Sequence, residues 1–136
     1  MHSILFNKIR EEMGLCYNVA CSESEYSFGS MIYIFSAMNS KNVSKAQDAI
    51  VKELNKVAKG EISSDLLETV KDSHLFCAAQ GLQTPLQIAR MADRYFYAPI
   101  VSIDEESKIV KKINKDQLVE TMQWLMKNQY GLVRMN

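Results

Sequence analysis

The 136-residue sequence predicts an α+β fold in which an antiparallel-dominated sheet packs against several helices. Period-two patterning marks two adjacent strands near the start, helical spacing of apolar residues marks several later segments, and a strand-like stretch closes the chain. A regular βαβ array is excluded, because its strands alternate with single crossover helices, whereas here the first two strands are neighbours and helices accumulate before the last. Residues 1–136 read as a single domain. A chain of this length buries roughly two-thirds of the surface it exposes when unfolded, enough for a core without metal or disulfide staples.

From His2 to Met13, apolar Leu5, Phe6, Ile9 and Met13 fall at helical spacing, and Gly14 stands where a left-handed cap is needed. Leu15, Tyr17, Val19 and Cys21 then alternate with Cys16, Asn18, Ala20 and Ser22, the period of a strand. The stretch from Ser24 to Ser30 reads as a turn into a second, antiparallel strand over the solid apolar run Met31 to Phe35. An unbroken run of this kind predicts a strand covered on both faces.

Asn39 to Asn42 is a cluster of cap and turn formers, after which Val43, Ala46, Ile50, Leu54 and Val57 define an amphipathic helix ending at Gly60. Ser63 and Ser64 cap a second long helix that carries Leu66, Leu67, Val70, Leu75 and Ala78 and fades near Gly81. Thr84, Pro85 and Gln87 predict another helix, running to about Tyr97. Ser102 with Glu105, and Asn114 with Gln117, are two capping boxes in quick succession, predicting two short consecutive helices. Tyr130 to Met135 reads as the last strand.

Composition excludes several functions. Sixteen Lys and Arg balance sixteen Asp and Glu with no basic stripe, which argues against nucleic acid as a partner. The longest tempting uncharged run, Met31 to Asn39, is nine residues against the roughly 20 of a membrane helix, so no membrane partner is expected. Met1 to Phe6 lacks the basic region and cleavage site of a signal peptide, and the three cysteines fit reduced thiols, so a cytoplasmic location is expected.

The chemistry-bearing residues are few. His2 and His74 belong to neither H-E-x-x-H nor H-x-x-E-H, so no metal site and no catalytic residue is expected in this chain alone. In a regular strand Cys16 and Cys21 would face opposite sides, and no family-type context surrounds them or Cys77, so a Cys-dependent enzyme has little behind it. The pairs Glu11–Glu12 and Glu105–Glu106 point about 100° apart on a helix and read as solvated faces. Phosphate-cradling glycine loops are absent.

One constellation remains. Arg10 ends a helix, Tyr17 opens the next strand, and Gly14 turns one towards the other, so a guanidinium and a phenol can offer donors to a carbonyl or developing oxyanion. The structural alternative is ordinary: Arg near a helix C-terminus is favoured by the macrodipole, and Tyr is common in strands.

The stretch Ser3-Ile4-Leu5-Phe6-Asn7-Lys8-Ile9-Arg10-Glu11-Glu12-Met13-Gly14-Leu15-Cys16-Tyr17 resembles the motif S-x-L-F-x-x-I-R-E-x-x-G-L-x-Y of the pitrilysin and insulysin type of zinc peptidases, the inverzincins, which include mitochondrial processing peptidase. The resemblance runs on through the strand pair, the helices near Val43 to Lys59 and Leu66 to Ala79, and the final helix and strand. It implies a two-layer metallopeptidase-like fold. It further implies the non-catalytic, C-terminal-half type of domain, which has lost H-x-x-E-H and contributes an Arg and a Tyr seven apart to the substrate site, matched here by Arg10 and Tyr17. On this reading Tyr17 binds the scissile carbonyl or its tetrahedral intermediate and Arg10 holds the peptide backbone. The zinc and its activated water belong to a partner half carrying H-x-x-E-H, on the same chain or another subunit.

Family domains place a strand and a helix ahead of the Ser-x-Leu-Phe segment, so the chain resembles the latter part of such a domain, and self-association through an uncovered edge or face is expected. The expected function is therefore substrate positioning in a zinc metallopeptidase, with peptide as substrate. The alternative is a stand-alone α+β dimerisation or peptide-binding module without chemistry.

Overall fold

The computed structural model describes residues 3–26, 28–81, 83–86, 88–89, 101–128, 131 and 133. The fold is α+β: a π-helix, Phe6–Glu12, leads into an antiparallel pair, β1 (Asn18–Tyr26) and β2 (Gly29–Ala37), and helices follow. These helices are α1 (Val43–Ala58), α2 (Ser64–Gln80), α3 (Ile103–Lys112) and α4 (Lys115–Lys127). The π-helix packs on β1 and α1, α4 lies along α1, and α3 lies along α2.

The first helix is wound wider than the α-helix its spacing suggests. Met13 N–H donates to the Lys8 carbonyl at 3.1 Å, five residues back, and Leu15 N–H reaches the Ile9 carbonyl at 3.0 Å, six back. Apolar residues four apart line one face in either winding, so Leu5, Ile9 and Met13 still meet the core. That core is Leu5, Ile9, Leu15, Val19 and Ala46, bordered by Phe6, Cys16, Ile34, Met38 and Ile50. Burying side chains of the Leu, Ile and Val type contributes roughly 1.5–3 kcal/mol each.

The hairpin departs from expectation twice. The turn is narrower than the stretch Ser24 to Ser30, because pairing continues through Ser24↔Met31 to Tyr26↔Gly29. Exposed strands tolerate polar residues on both faces, which is why Ser24 and Glu25 pair rather than turn. Nor is β2 covered on both faces, since Met31, Ile32, Tyr33 and Phe35 are all exposed. An apolar run shows that residues suit burial, but a second layer has to cover them, and none does so among the described residues.

Helix ends follow local rules. Asn39 Oδ1 accepts from Lys41 N–H at 3.1 Å and opens the 3₁₀ turn Ser40–Asn42 that feeds α1. At the other end of α1, Glu61 N–H bonds to the Lys56 carbonyl and Gly60 N–H to that of Val57, both at 2.9 Å, with Gly60 at φ +76°. This is a Schellman closure. Ser63 Oγ accepts from Leu66 N–H at 3.2 Å to start α2. Both capping boxes form: Ser102 N–H donates to Glu105 Oε2 and Asn114 N–H to Gln117 Oε1, each at 3.0 Å, with the reciprocal bonds present.

On α2 the side chain turned inwards is Lys71 rather than Val70; its ammonium bonds to Glu68 Oε1 at 2.7 Å. The Thr84 helix begins as expected, with Ile88 N–H on the Thr84 carbonyl at 3.0 Å, and its remainder lies outside the described residues. Apart from Gly131 and Val133, so does the strand expected over Tyr130 to Met135. No described helix is long and apolar enough to cross a membrane.

Candidate functional site

The segment from Arg10 to Tyr17 is a rigid reversal built on backbone bonds. Gly14 adopts φ +59°, and its N–H donates to the Arg10 carbonyl at 3.0 Å. A left-handed residue here lets Gly14 and Leu15 bond back to the last turn. Beyond the turn, Tyr17 N–H donates to the Ala37 carbonyl at 3.0 Å, joining the site to the end of β2. Asn42 Nδ2 donates to the Leu15 carbonyl at 3.0 Å, fastening the loop to the start of α1.

The two predicted site residues stand on either side of this reversal, and both are exposed. The Arg10 guanidinium lies 4.7 Å from the centre of the Phe6 ring and 3.5 Å from Glu11 Oε1. Its backbone is fixed while its tip remains at the surface. Tyr17 is 84% exposed and presents its phenol to solvent. No hydrogen bond joins the Arg10 and Tyr17 side chains among the described residues.

Surrounding charges are internally paired. Lys8 bonds to Glu12 one turn along, and that carboxylate, with Glu53 adding its charge, holds the Lys8 ammonium above the ordinary lysine value. Glu53, buried on α1, pairs with Lys56 at 2.8 Å. Among the described residues Arg10 therefore has only the adjacent, exposed Glu11 as an ion-pair partner.

The remaining candidates do not join this site. His74 on α2 meets Glu106 on α3, Nε2 to Oε1 at 2.8 Å, a tertiary link that sequence reasoning missed because its partners are 32 residues apart. Cys77 follows three residues after His74, yet no hydrogen bond connects them among the described residues. Cys16 packs against the core, and Cys21, although exposed, has its thiol pushed upwards by partial desolvation, with the Glu23 carboxylate adding, away from the reactive thiolate. No described cluster of three or more His, Cys, Asp or Glu side chains has the geometry to hold a metal ion, and the His74–Glu106 pair lacks a third ligand. A zinc ion does not fit the described residues.

The model of the peptidase M16 inactive domain matches residues 1–73, which include the π-helix, the reversal, the hairpin and α1. The chain belongs to this family. The motif from Ser3 to Tyr17 thus lies inside the matched region of the M16 inactive domain, as the resemblance to pitrilysin-type peptidases implied. No curated protein matches the chain.

Two solved structures share the fold across most of this M16 chain. A protease from Helicobacter pylori superposes with a TM-score of 0.76 at 18% identity, covering 90% of this chain and 30% of its own. A conserved protein from Enterococcus faecalis gives a TM-score of 0.71 at 21% identity, covering 90% of this chain and 29% of its own. The M16 chain thus spans about three-tenths of the length of either structure.

Proposed function

We propose that this M16 inactive domain positions peptide substrate for a catalytic half that carries H-x-x-E-H and the zinc. The observation behind this reading is the reversal itself. Gly14, Leu15 and Tyr17 N–H groups and the Asn42 amide lock the backbone between Arg10 and Tyr17, while both side chains remain exposed. Rigid backbone beneath exposed donors suits recognition of an extended chain. On this reading Tyr17 donates its phenolic O–H to a peptide carbonyl, most strongly as negative charge develops on that oxygen, and Arg10 donates to a neighbouring carbonyl or carboxylate. The bond-breaking chemistry comes from the zinc of the partner half.

The test is peptide hydrolysis by this chain assembled with its H-x-x-E-H half, found as a co-purifying subunit or in the same reading frame. Tyr17→Phe is expected to lower kcat/KM by about 100-fold, the scale of losing one oxyanion donor. Arg10→Ala is expected to act chiefly on KM. Unchanged kinetics in both variants would refute the role. A dimerisation or peptide-binding module without chemistry is the second reading, favoured by the uncovered hairpin, and it predicts that no catalytic half accompanies the chain.

A further inference from the structure

We propose that the outer face of the β1–β2 hairpin is a homodimer interface, on which two copies of this chain stack sheet on sheet about a two-fold axis parallel to the strands.

Directly opposed residues of an antiparallel pair share a face, so the register sorts the hairpin into two surfaces. The surface with Val19 and Ile34 meets the core and also carries Glu23 and Ile32. The other bears Ala20, Ser22 and Ser24 on β1 beside Phe35, Tyr33 and Met31 on β2, and it contains no charged residue. Its large members are solvent-facing, with Met31 51%, Tyr33 38% and Phe35 49% exposed. Tyr26 continues the same face towards the turn.

Three features specify a second copy as the occupant. Nothing charged has to be stripped of water, because the face has no ionic group and the chain has zero formal charge, so copies do not repel at long range. The polar groups in the middle of the face are small and close to one another: the Ser22 and Ser24 hydroxyls stand opposite and diagonal to Tyr33, near enough to hold its phenol below the ordinary tyrosine value. The face is also complementary to itself. A two-fold axis parallel to the strands sets β2 of one copy over β1 of the other, bringing Phe35 over the small Ala20 of the second copy and Tyr33 near its counterpart on the axis.

Half-exposed Tyr26, Met31, Tyr33 and Phe35 present roughly 400 Å² of side chain per copy, given the 150–250 Å² an aromatic residue can bury. Doubled, that is about 800 Å², short of the roughly 1,200 Å² of stable specific interfaces and in the range of weak, transient ones, which sets a concentration-dependent dimer with a dissociation constant on the order of tens of micromolar.

Sedimentation velocity on the 136-residue chain from about 1 to 100 μM tests this, spanning the expected constant. The expected result is a monomer that becomes a dimer across the series. Ala20→Arg, which lodges a cation beneath Phe35, and Tyr33→Glu are each expected to abolish the dimer, with circular dichroism confirming that both remain folded. If one unfolds, the other decides, and Ser24→Lys replaces it. Ile32→Glu, on the opposite face, is expected to leave the dimer intact. A wild-type chain that stays monomeric overturns the proposal, as does a dimer that survives the outer-face substitutions, which would indicate edge pairing, or one that Ile32→Glu dissolves.

Discussion

The side-chain amide of Asn42, at the entry to α1, donates to the backbone carbonyl of Leu15 at 3.0 Å, across 27 residues of sequence. This bond satisfies a carbonyl that lies between the π-helix and β1, where the chain forms no ladder. It therefore holds the loop that carries Tyr17. Asn42→Ala is expected to cost about 1–2 kcal/mol by leaving that acceptor without its partner. Asn42→Asp is expected to cost more, because a carboxylate would face a carbonyl oxygen. Urea unfolding of the three proteins gives the order, and an Asn42→Ala variant as stable as wild type would remove the bond from the account of the loop.

Gly14 is required for its backbone and not for space. Nothing lies within 4 Å of the position a Cβ would take, so a methyl group meets no obstacle. The conformation at φ +59° is itself unfavourable for an L-residue, by about 1–2 kcal/mol. Gly14→Ala is expected to lose that amount, and Gly14→Asn to lose less, since Asn enters the left-handed region more readily. Denaturation midpoints should fall in the order Gly, Asn, Ala. Equal losses for Asn and Ala would mean that something other than backbone conformation selects glycine.

Features settled by neighbouring residues were legible in the sequence, and those settled by distant ones were not. Both capping boxes, the Gly14 and Gly60 turns and the N-cap at Ser63 depend on residues no more than six apart, and each forms where the pattern placed it. The π-winding was hidden because Leu5, Ile9 and Met13 satisfy α and π spacing alike, and only backbone bonding separates the two. Exposure of β2 was hidden because hydrophobicity does not reveal whether another layer exists. Asn42 to Leu15 and His74 to Glu106 are tertiary pairs with no spacing signal. At the site, the reversal at Gly14 was readable from residues alone, whereas the roles of Arg10 and Tyr17 came from likeness to a family motif.

Glu105 gives α3 a stability that depends on pH. Hydrogen bonds from the Ser102 backbone N–H and then its hydroxyl hold the Glu105 carboxyl below the usual glutamate value. A carboxyl more acidic in the folded than in the unfolded chain stabilises the fold above its unfolded value, near 4.3, and loses that contribution as pH falls through the folded value. Glu105→Gln is therefore expected to lower Tm at pH 7 and to differ less from wild type in acid. Ser102→Ala is expected to lower Tm at both pH values, because the hydroxyl that caps Glu105 N–H is missing throughout. Thermal melts on the acid side of pH 5 check both; a Glu105→Gln deficit that stays constant with pH would show that the carboxylate's charge is not what the box uses.

Ile9 and Arg10 are neighbours on the π-helix with opposite environments, and this separates stability from function. Ile9 is fully buried among Leu5, Leu15, Val19 and Ala46, whereas Arg10 reaches the surface over Phe6. Ile9→Ala removes core volume in a segment that packs on both β1 and α1, and is expected to cost about 2–5 kcal/mol. Arg10→Ala surrenders an exposed ion pair and one cation–π contact and is expected to cost about 1 kcal/mol or less. Guanidinium unfolding of the isolated chain measures both. If Arg10→Ala proved as destabilising as Ile9→Ala, a loss of activity in that variant would report unfolding, and the case for Arg10 at a substrate site would rest on Tyr17 alone.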